Sequence, residues 1–338
     1  MPGHSLRRVL LKRSINVCIT IFGIITINFL LIHAMPGDPI LNMVPRDPKL
    51  DPAVKQDLID KFDLNASLPE RYVAYLYNTF TGNWGTSYMQ SHRQVIDIIS
   101  EDLRWTLLLV GTSTVFTLLL GMAVGAYGAY RRGGAFDMSS TAISLFFYGM
   151  PIFWFAILLQ MLFNSYPLGM DWWPQLPTGS YFDTKTYGTE FRWEWDIVVS
   201  VLQHLILPAA TLSIGSLAGV SLIMRSSLLD VMTEDYIMTA RAKGLTDLQV
   251  LRWHALPNGM TPMIALIALS IAFVISGAYQ VEYIFNYPGI GYTTLNAIWD
   301  LDFPILQFVV IVGGVAVVIA NFVADLLLIY IDPRIKIA

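Results

Sequence analysis

Residues 105–129 read WTLLLVGTSTVFTLLLGMAVGAYGA, a run of 25 residues without a charged side chain. As an α-helix this run would be about 37 Å long, enough to cross the roughly 30 Å hydrocarbon core of a bilayer. In lipid the run must be helical, because a single unpaired strand would leave its backbone groups without hydrogen-bond partners. The stretch therefore predicts a membrane-spanning helix, and it sets the class of the fold.

The composition of the whole chain points the same way. Of its 338 residues, 55% are hydrophobic and 14% are charged, whereas a soluble domain carries about 25% charged residues. This balance excludes a soluble enzyme, a disordered scaffold and a collagen-like fibre. The single cysteine, Cys18, excludes an internal disulfide and disfavours a cysteine-based zinc site. A net charge of −4 gives no reason to expect nucleic acid as a partner.

Other uncharged runs are also long enough to span a membrane. Together with the first they cover residues 14–32, 105–129, 139–164, 205–224, 260–281 and 303–324. They predict an all-α polytopic membrane protein with six transmembrane helices in the lipid bilayer. The run nearest the N-terminus follows basic residues, but it is longer than the apolar region of a secretory signal and lacks a convincing cleavage site. We expect it to be an uncleaved signal anchor.

The distribution of charge predicts the orientation of these helices. If the N-terminus lies in the cytoplasm, the inside segments carry twelve basic and six acidic residues, and the outside segments carry nine basic and eighteen acidic residues. Cytoplasmic loops of membrane proteins are enriched in lysine and arginine. We therefore expect a multi-pass protein of the cell (plasma or inner) membrane with both termini in the cytoplasm.

The predicted helices divide the chain into three parts. Residues 1–34 hold the N-terminus and the first helix, residues 35–104 form an extracytoplasmic segment, and residues 105–338 hold the remaining helices. The segment 35–104 includes an aromatic stretch at 72–84 and is long enough to form a small accessory domain.

A second outside segment, residues 165–203, is rich in tryptophan, tyrosine and phenylalanine. Two interpretations of it remain open. Aromatic side chains form belts at membrane interfaces and pack within loops. They could instead form a docking surface for a partner outside the membrane.

Motifs for catalysis or cofactor binding are absent from the sequence. It contains no G-x-x-x-x-G-K-[ST] phosphate loop, no H-E-x-x-H metal motif and no G-x-S-x-G nucleophile elbow. Ionisable residues are rare within the predicted spans, which argues against a relay for protons or ions. We therefore predict no catalytic, metal or cofactor site in this chain.

Polar and small residues within the predicted helices suggest local roles. Asn321 and Asp325 lie one helical turn apart near the end of the last span. An acid in a membrane helix is a candidate functional group, and a structural hydrogen-bond role is the alternative. Gly121 and Gly125 form a small-x-x-x-small face, which predicts close packing of helices within the chain or with a partner.

The inside loop 225–259 has the clearest local signals. Thr233 can cap a helix that has Glu234 and Asp235 in its first turn. Gly244 stands where a helix end takes the left-handed conformation. The loop therefore predicts a short exposed helix that either enters a groove on a soluble partner or only links two spans.

A second short helix is predicted directly after this one. Thr246 and Gln249 have the spacing of a capping box, which marks the start of a helix. Pro257 is predicted to end that helix where the chain returns to the membrane.

The residues of this loop resemble the cytoplasmic signature of permease subunits of binding-protein-dependent ABC importers. The resemblance is carried by residues 235–245, DYIMTARAKGL, and 254–258, HALPN. Ala240, Gly244, Leu256 and Pro257 match the general pattern. The stretch 239–245 is similar to the version in the peptide branch of these importers.

Other stretches resemble the same family in the order expected along the chain. They are 35–39 (MPGDP), 82–87 (GNWGTS, with Asn83 in place of an acid), 282–285 (EYIF) with 288–291 (PGIG), and 332–334 (DPR) after Asn321 and Asp325. Together they indicate the first of the two permeases of a dipeptide or oligopeptide system.

The resemblance implies a type I ABC importer permease fold and a set of partners. These are a second homologous permease, two cytoplasmic ATPases that bind ATP and Mg²⁺, and an external substrate-binding protein. The chain itself would be a transport subunit and not an enzyme, and its helix near 234–243 would couple it to the ATPases.

Specific residues take roles through this resemblance. In the coupling helix and its turn they are Tyr236, Ala240, Arg241, Gly244 and Leu245. Ala240 is expected to seat in a groove on the ATPase, Arg241 to reach acidic residues there, and Gly244 to permit the tight turn.

The outer mouth and the substrate are less well defined by the sequence. Glu282, Pro288, Gly289 and Gly291 either line or gate the outer mouth or form a structural turn. Peptides are the expected substrate, and oligosaccharides such as cello-oligosaccharides are the alternative. A secondary transporter is a more remote alternative, which the lack of an obvious internal repeat disfavours.

Overall fold

The computed structural model describes residues 3–34, 66–87, 90, 93–164, 176–188, 191–276 and 278–331. These ranges are helical apart from turns, irregular connections and an isolated bridge between Thr86 and Gln94. The helices are α1 Gly3–Ala34, α2 Leu68–Thr81, α3 Val95–Tyr130, α4 Ala135–Tyr148, α5 Ile152–Asn164, α6 Thr184–Tyr187, α7 Trp195–Val231, α8 Asp235–Ala242, α9 Asp247–Val250, α10 Leu256–Gly259, α11 Thr261–Ser276, α12 Tyr279–Ile284, α13 Ile290–Asp300 and α14 Phe303–Ile331. A π-helical turn, Leu251–Ala255, joins α9 to α10.

The predicted spanning helices differ in whether each is one straight helix long enough to cross a bilayer. Within the described residues four helices, α1, α3, α7 and α14, are long and apolar enough to cross a bilayer. The predicted span 139–164 is instead the pair α4 and α5, bent by 100°. The break falls at Gly149 and Pro151, because proline lacks a backbone N–H and restricts the residue before it.

The predicted span 260–281 is also divided. Its apolar helix, α11, has 16 residues and is therefore about 24 Å long, and the separate helix α12 follows it. The six predicted runs thus correspond to four unbroken helices, one bent pair and one shorter helix.

Two helices start earlier than the hydrophobic runs indicate. α3 begins at Val95 and α7 at Trp195, ten residues before the runs at 105 and 205. The additional turns carry charged residues, which bar lipid burial but do not oppose a helix in water. Each helix therefore projects about 15 Å beyond its apolar run.

The small-residue face of α3 packs against α7, in agreement with the sequence. A Cβ atom on Gly121 would lie 2.7 Å from Val220 Cβ, and one on Gly125 would lie 2.3 Å from the carbonyl oxygen of Ser221. These separations leave no room for a side chain, so the two glycines set the approach of the helices.

Gly125→Ala is expected to destabilise the protein by about 2 kcal/mol, because the added methyl group overlaps backbone atoms that cannot move independently. Gly111→Ala is the matched control on the same helix, since a Cβ atom added there would meet nothing within 4 Å. Thermal unfolding of the purified protein in detergent measures both variants. Equal melting temperatures for the two would contradict the packing argument.

The segment 35–104 is described from residue 66 onward, apart from residues 88, 89, 91 and 92. There α2 packs against α1 and α14, with Tyr75 buried in the same hydrophobic cluster as Phe29 and Phe308. The Asn28 side chain donates hydrogen bonds to the Tyr75 hydroxyl at 3.1 Å and to the Gln307 carbonyl at 2.9 Å. The described part of this segment therefore shares its core with the spanning helices.

The described aromatic residues of segment 165–203 lie in two environments. Tyr181 packs on Trp105 of α3 with ring centroids 4.5 Å apart, and Phe182 is completely buried. Trp193 and Trp195 are 88% and 77% exposed. Local packing thus explains the first two, whereas the exposed tryptophans are accessible to lipid or to a partner.

Candidate functional site

The helix α8 lies in the loop that the sequence marks as a coupling element. It begins at Asp235 with Glu234 as its N-cap. The prediction that Thr233 is the cap is wrong, because the Thr233 hydroxyl donates to the Asp230 carbonyl at 2.7 Å. The predicted turn at the other end is confirmed, since Gly244 has φ +84°.

The two faces of α8 have different environments. Ile237 and Ala240 are buried, with Ala240 only 4% exposed, in a cluster that includes Leu228 of α7 and Ala255 of the π-helical turn. The expectation that Ala240 itself seats in a partner's groove does not fit this burial. The small side chain of Ala240 instead allows α8 to lie close to α7 and the π-helical turn.

The opposite face of α8 and the following turn are open to solvent. Tyr236 and Met238 are 41% and 62% exposed, and Leu248 and Trp253 are exposed beside them. Arg241 is also exposed and lies 3.4 Å from Asp247. We call these residues, Tyr236, Met238, Arg241, Leu248 and Trp253, the α8 surface.

Arg252 adds a cation beside the α8 surface, and Tyr236 within that surface carries a hydroxyl group. The Arg252 guanidinium lies 5.1 Å from the centroid of the Trp253 ring, in position for a cation–π contact. Burial raises the pKa of Tyr236, so its hydroxyl is neutral at physiological pH. The surface therefore combines apolar, aromatic and cationic groups.

The turn after α8 fixes its position. Leu245 is half-buried against the same cluster. The predicted capping box is confirmed: the Thr246 hydroxyl accepts from Gln249 N–H at 3.4 Å, and the Thr246 N–H donates to Gln249 Oε1 at 2.9 Å. The capping box fixes the start of α9, and Leu245 holds the turn against the cluster that also buries Ile237 and Ala240 of α8.

The prediction that Pro257 ends the second helix is wrong. The helical path continues through it, because the π-helical turn Leu251–Ala255 comes just before. The Leu256 N–H reaches back five residues to the Leu251 carbonyl. This wider turn accommodates a proline, which cannot donate a hydrogen bond. A helical path therefore runs from the α8 surface into α11.

At the other end of the bundle, Glu282 is completely buried and holds the start of α13. Its Oε2 accepts hydrogen bonds from the Gly291 and Tyr292 N–H groups at 2.7 and 3.2 Å. Its Oε1 accepts from the Thr106 hydroxyl at 3.0 Å and the Ala278 N–H at 3.2 Å. Burial raises the pKa of Glu282, and these donors oppose the shift.

The glycines beside Glu282 are required by the closeness of the turn. A Cβ atom on Gly289 would lie 2.4 Å from both Glu282 Oε2 and Thr106 Oγ1, and one on Gly291 would lie 2.6 Å from Tyr279 Cα. Glu282, Gly289 and Gly291 are buried, and Pro288 is half-buried. Their geometry is that of a structural turn, so the alternative role in lining or gating an outer mouth does not fit.

Polar contacts to α3 and to the turn before it hold α13 and the start of α14. The Thr293 hydroxyl donates to Asp102 of α3 at 2.5 Å. At the far end of α13, the Ser87 hydroxyl donates to Asp302 at 2.5 Å, and Trp84 stacks on Phe308 with centroids 4.8 Å apart. Sequence reasoning missed Asp102 and Asp302, because contacts across more than 190 residues leave no local pattern.

Asn321 and Asp325, the intramembrane pair, lie on the same helix, α14, but have different surroundings. Asp325 forms an ion pair with Arg13 of α1, and Asn321 is exposed. Among the described residues no group of acids, histidines and cysteines is placed to hold a metal ion. The ion pair supports the structural interpretation, because it ties α1 to α14.

An ion pair that sequence reasoning missed joins α4 to α7 near the α8 surface. Arg225 donates from Nε to Asp137 Oδ1 at 2.5 Å and from Nη2 to Oδ2 at 2.8 Å. Asp137 also accepts from the Gly133 N–H at 2.9 Å. The charge pattern placed both residues on one side of the membrane but gave no sign of their pairing.

The family described as "Binding-protein-dependent transport system inner membrane component" matches residues 117–337. The chain belongs to this family. It is a multi-pass membrane protein and a transport subunit. The matched region contains α7, the α8 surface and residues 282–291, which we call the Glu282 turn.

Curated relatives extend the similarity to the whole chain. The oligopeptide transport system permease protein AppB of Bacillus subtilis is 34% identical, covering 99% of this chain and 100% of the relative. The dipeptide permease DppB of Escherichia coli K12 is 32% identical over 97% and 98%, and the di/tripeptide permease DppB of Pseudomonas aeruginosa is 33% identical over 94% and 95%.

A solved structure shows the shared fold. A chain of the MetNI methionine ABC transporter, in inward-facing conformations, matches with a TM-score of 0.51 at 14% identity. The match covers 70% of this chain and 97% of the other. The helical architecture is thus the type I permease fold that the sequence predicted.

Proposed function

We propose that the chain is the transmembrane permease subunit of an ATP-driven importer that moves dipeptides or oligopeptides into the cytoplasm. The observation that carries this proposal is the end-to-end similarity to permeases named for oligopeptide, dipeptide and di/tripeptide transport. The cargo would arrive on an external binding protein, and a second homologous permease would form the other half of the pathway.

In this proposal two cytoplasmic ATPases bind ATP and Mg²⁺ and supply the driving energy. This chain carries no cofactor and performs no hydrolysis. Closure of the ATPases around ATP moves the α8 surface and, through it, the spanning helices. The surface suits this role because aromatic, methionine and arginine side chains are enriched in protein interfaces.

The proposed orientation places the α8 surface and both termini in the cytoplasm. Its support is the excess of lysine and arginine in the segments on that side, since such residues mark cytoplasmic loops. The Glu282 turn and the aromatic segment 165–203 would then face the binding protein.

The substrate class is tested on the binding protein that co-purifies with the assembled complex. Its melting temperature is measured with di- to octapeptides and with cello- and xylo-oligosaccharides. A ligand that binds the folded protein raises the melting temperature by mass action. Free amino acids and monosaccharides serve as controls.

We expect peptides alone to stabilise the binding protein, and peptide uptake to require ATP in vesicles that contain the full complex. Stabilisation by oligosaccharides alone would overturn the peptide proposal and make this a sugar importer on a peptide-type scaffold. Uptake by this chain without an ATPase would instead identify a secondary transporter.

A further inference from the structure

A cleft of about 330 Å³ lies between α3, α7 and α11, among their membrane-embedded segments. Hydroxyl groups from all of these helices line it, together with valine, leucine and isoleucine side chains. The polar and small residues of this cleft are Ser113, Thr114, Thr117, Ser216, Gly219 and Ser270. Hydroxyl groups at this depth must find hydrogen-bond partners within the protein or a guest, because lipid offers none.

Three hydroxyl groups of this cleft, those of Ser113, Thr117 and Ser270, donate their protons to backbone carbonyls inside the protein. Ser113 donates to the Val110 carbonyl at 2.9 Å, and Ser270 donates to the Leu266 carbonyl at 2.8 Å. Each oxygen keeps lone pairs that can accept a hydrogen bond. The donors of Ser113 and Ser270 are therefore paired within the protein, and a guest with N–H groups can gain hydrogen bonds from their oxygens.

No acidic or basic residue belongs to the described lining of the cleft. A charged wall would attract guests of one sign and repel those of the other, strongly so in a medium of low dielectric constant. An uncharged wall of hydroxyl and aliphatic groups can accept the backbone amides that all peptides share. It discriminates weakly among their side chains.

We propose that this cleft is the chain's own wall of the substrate pathway, where its hydroxyl groups accept hydrogen bonds from the amide groups of a passing peptide. The proposal rests on the proposed function and adds the location and the mode of recognition. Ser216 and Gly219 lie on one face of α7 with Val220 and Ile223, at the spacing of successive helical turns. Gly219 leaves open space, since a Cβ atom added to it would meet nothing within 4 Å.

The first test asks whether the cleft contains water. In a Cys18→Ser background, Thr114→Cys and Val115→Cys are compared in the complete complex for reaction with a membrane-impermeant, water-soluble thiol reagent. The two positions are neighbours on α3 at the same depth, and only Thr114 lines the cleft. We expect Thr114→Cys to react at least ten times faster, and a transported peptide to slow the reaction. Equal rates would overturn the proposal.

The second test introduces a charge. Ser216→Asp is expected to raise the ratio of uptake of lysine-containing to glutamate-containing peptides at least tenfold, measured against the wild-type complex in vesicles. Ser226→Asp, an exposed residue of α7 outside the cleft lining, is the matched control and should leave the ratio unchanged. An unchanged ratio for Ser216→Asp with retained uptake would overturn the proposal. Peptide uptake by Gly219→Trp at the wild-type rate would also overturn it.

These outcomes separate the two proposals. If the wild-type complex takes up no peptide, the proposed function fails. If it takes up peptides while Thr114→Cys and Val115→Cys react alike, the function stands and the pathway lies elsewhere. A Gly313→Trp variant controls for the bulk of tryptophan in a membrane helix, because a Cβ atom added to Gly313 would also lie in open space.

Discussion

Gly244→Val is expected to lower peptide uptake at least tenfold while the importer complex still assembles and hydrolyses ATP. Gly244 has φ +84°, and its added Cβ would meet nothing within 4 Å. The effect must therefore come from the backbone, because a β-branched residue in the left-handed region is strained by about 1–2 kcal/mol. Relief of that strain would unwind the end of α8 and displace Arg241 and the rest of the α8 surface.

Two variants control this result. Gly188→Val is matched in φ, which is +83°, and in space, with no neighbour within 4 Å, but it lies at the other end of the bundle. It should leave ATP hydrolysis and uptake coupled. Gly244→Asn should retain most uptake, since asparagine tolerates the left-handed conformation. Uptake is measured per assembled complex, and normal uptake by Gly244→Val would remove Gly244 from the coupling mechanism.

The position of Gly244 was predictable because its cause is local. Glycine directly after a helix commonly takes the left-handed conformation, because it lacks the Cβ atom that opposes it. The capping box of Thr246 and Gln249 is local in the same way. Patterns of this kind depend on neighbours within about four residues, and the sequence displays those neighbours directly.

The spanning helices were predictable from the hydrophobic runs only in part. Their composition reports where the chain can enter lipid, but it does not report where a helix bends or starts. The 100° break at Gly149–Pro151 lies inside an uncharged run, and the first turns of α3 lie outside one. The bend comes from a proline inside the run, and the early start of α3 comes from charged residues that a helix tolerates in water, so a count of uncharged residues passes over both.

The roles of Ala240 and Glu282 could not be predicted from the sequence, because they depend on contacts between distant parts of the chain. The family signature identified both positions, but a motif does not say which face of a helix points inward. Ala240 is buried through contacts with residues in α7 and the π-helical turn. Glu282 accepts a hydrogen bond from Thr106, which is 176 residues away. Such contacts appear only when the chain is folded.

Glu282→Ala is expected to destabilise the protein by about 3 kcal/mol or more. The substitution leaves the Gly291, Tyr292 and Ala278 N–H groups without their acceptor in a buried turn. Each buried donor that loses its partner costs about 1–3 kcal/mol, and hydrogen bonds to a charged group are stronger than neutral ones. The start of α13 should loosen first, because the carboxylate also complements the positive end of that helix.

Thermal unfolding of the purified chain in detergent measures this loss. Glu101→Ala is the matched control, since Glu101 is a half-exposed acid whose partner, Arg93, is equally exposed, and such pairs contribute about 0–1 kcal/mol.

Gly289→Ala should resemble Glu282→Ala, because its methyl group would lie 2.4 Å from the carboxylate, whereas Gly179→Ala meets only ordinary contacts at 3.8 Å. A stable Glu282→Ala protein whose pathway leaks solutes would show instead that Glu282 guards an opening. If both Glu282→Ala and Gly289→Ala lower the melting temperature together, the buried carboxylate holds the turn on which α13 is built.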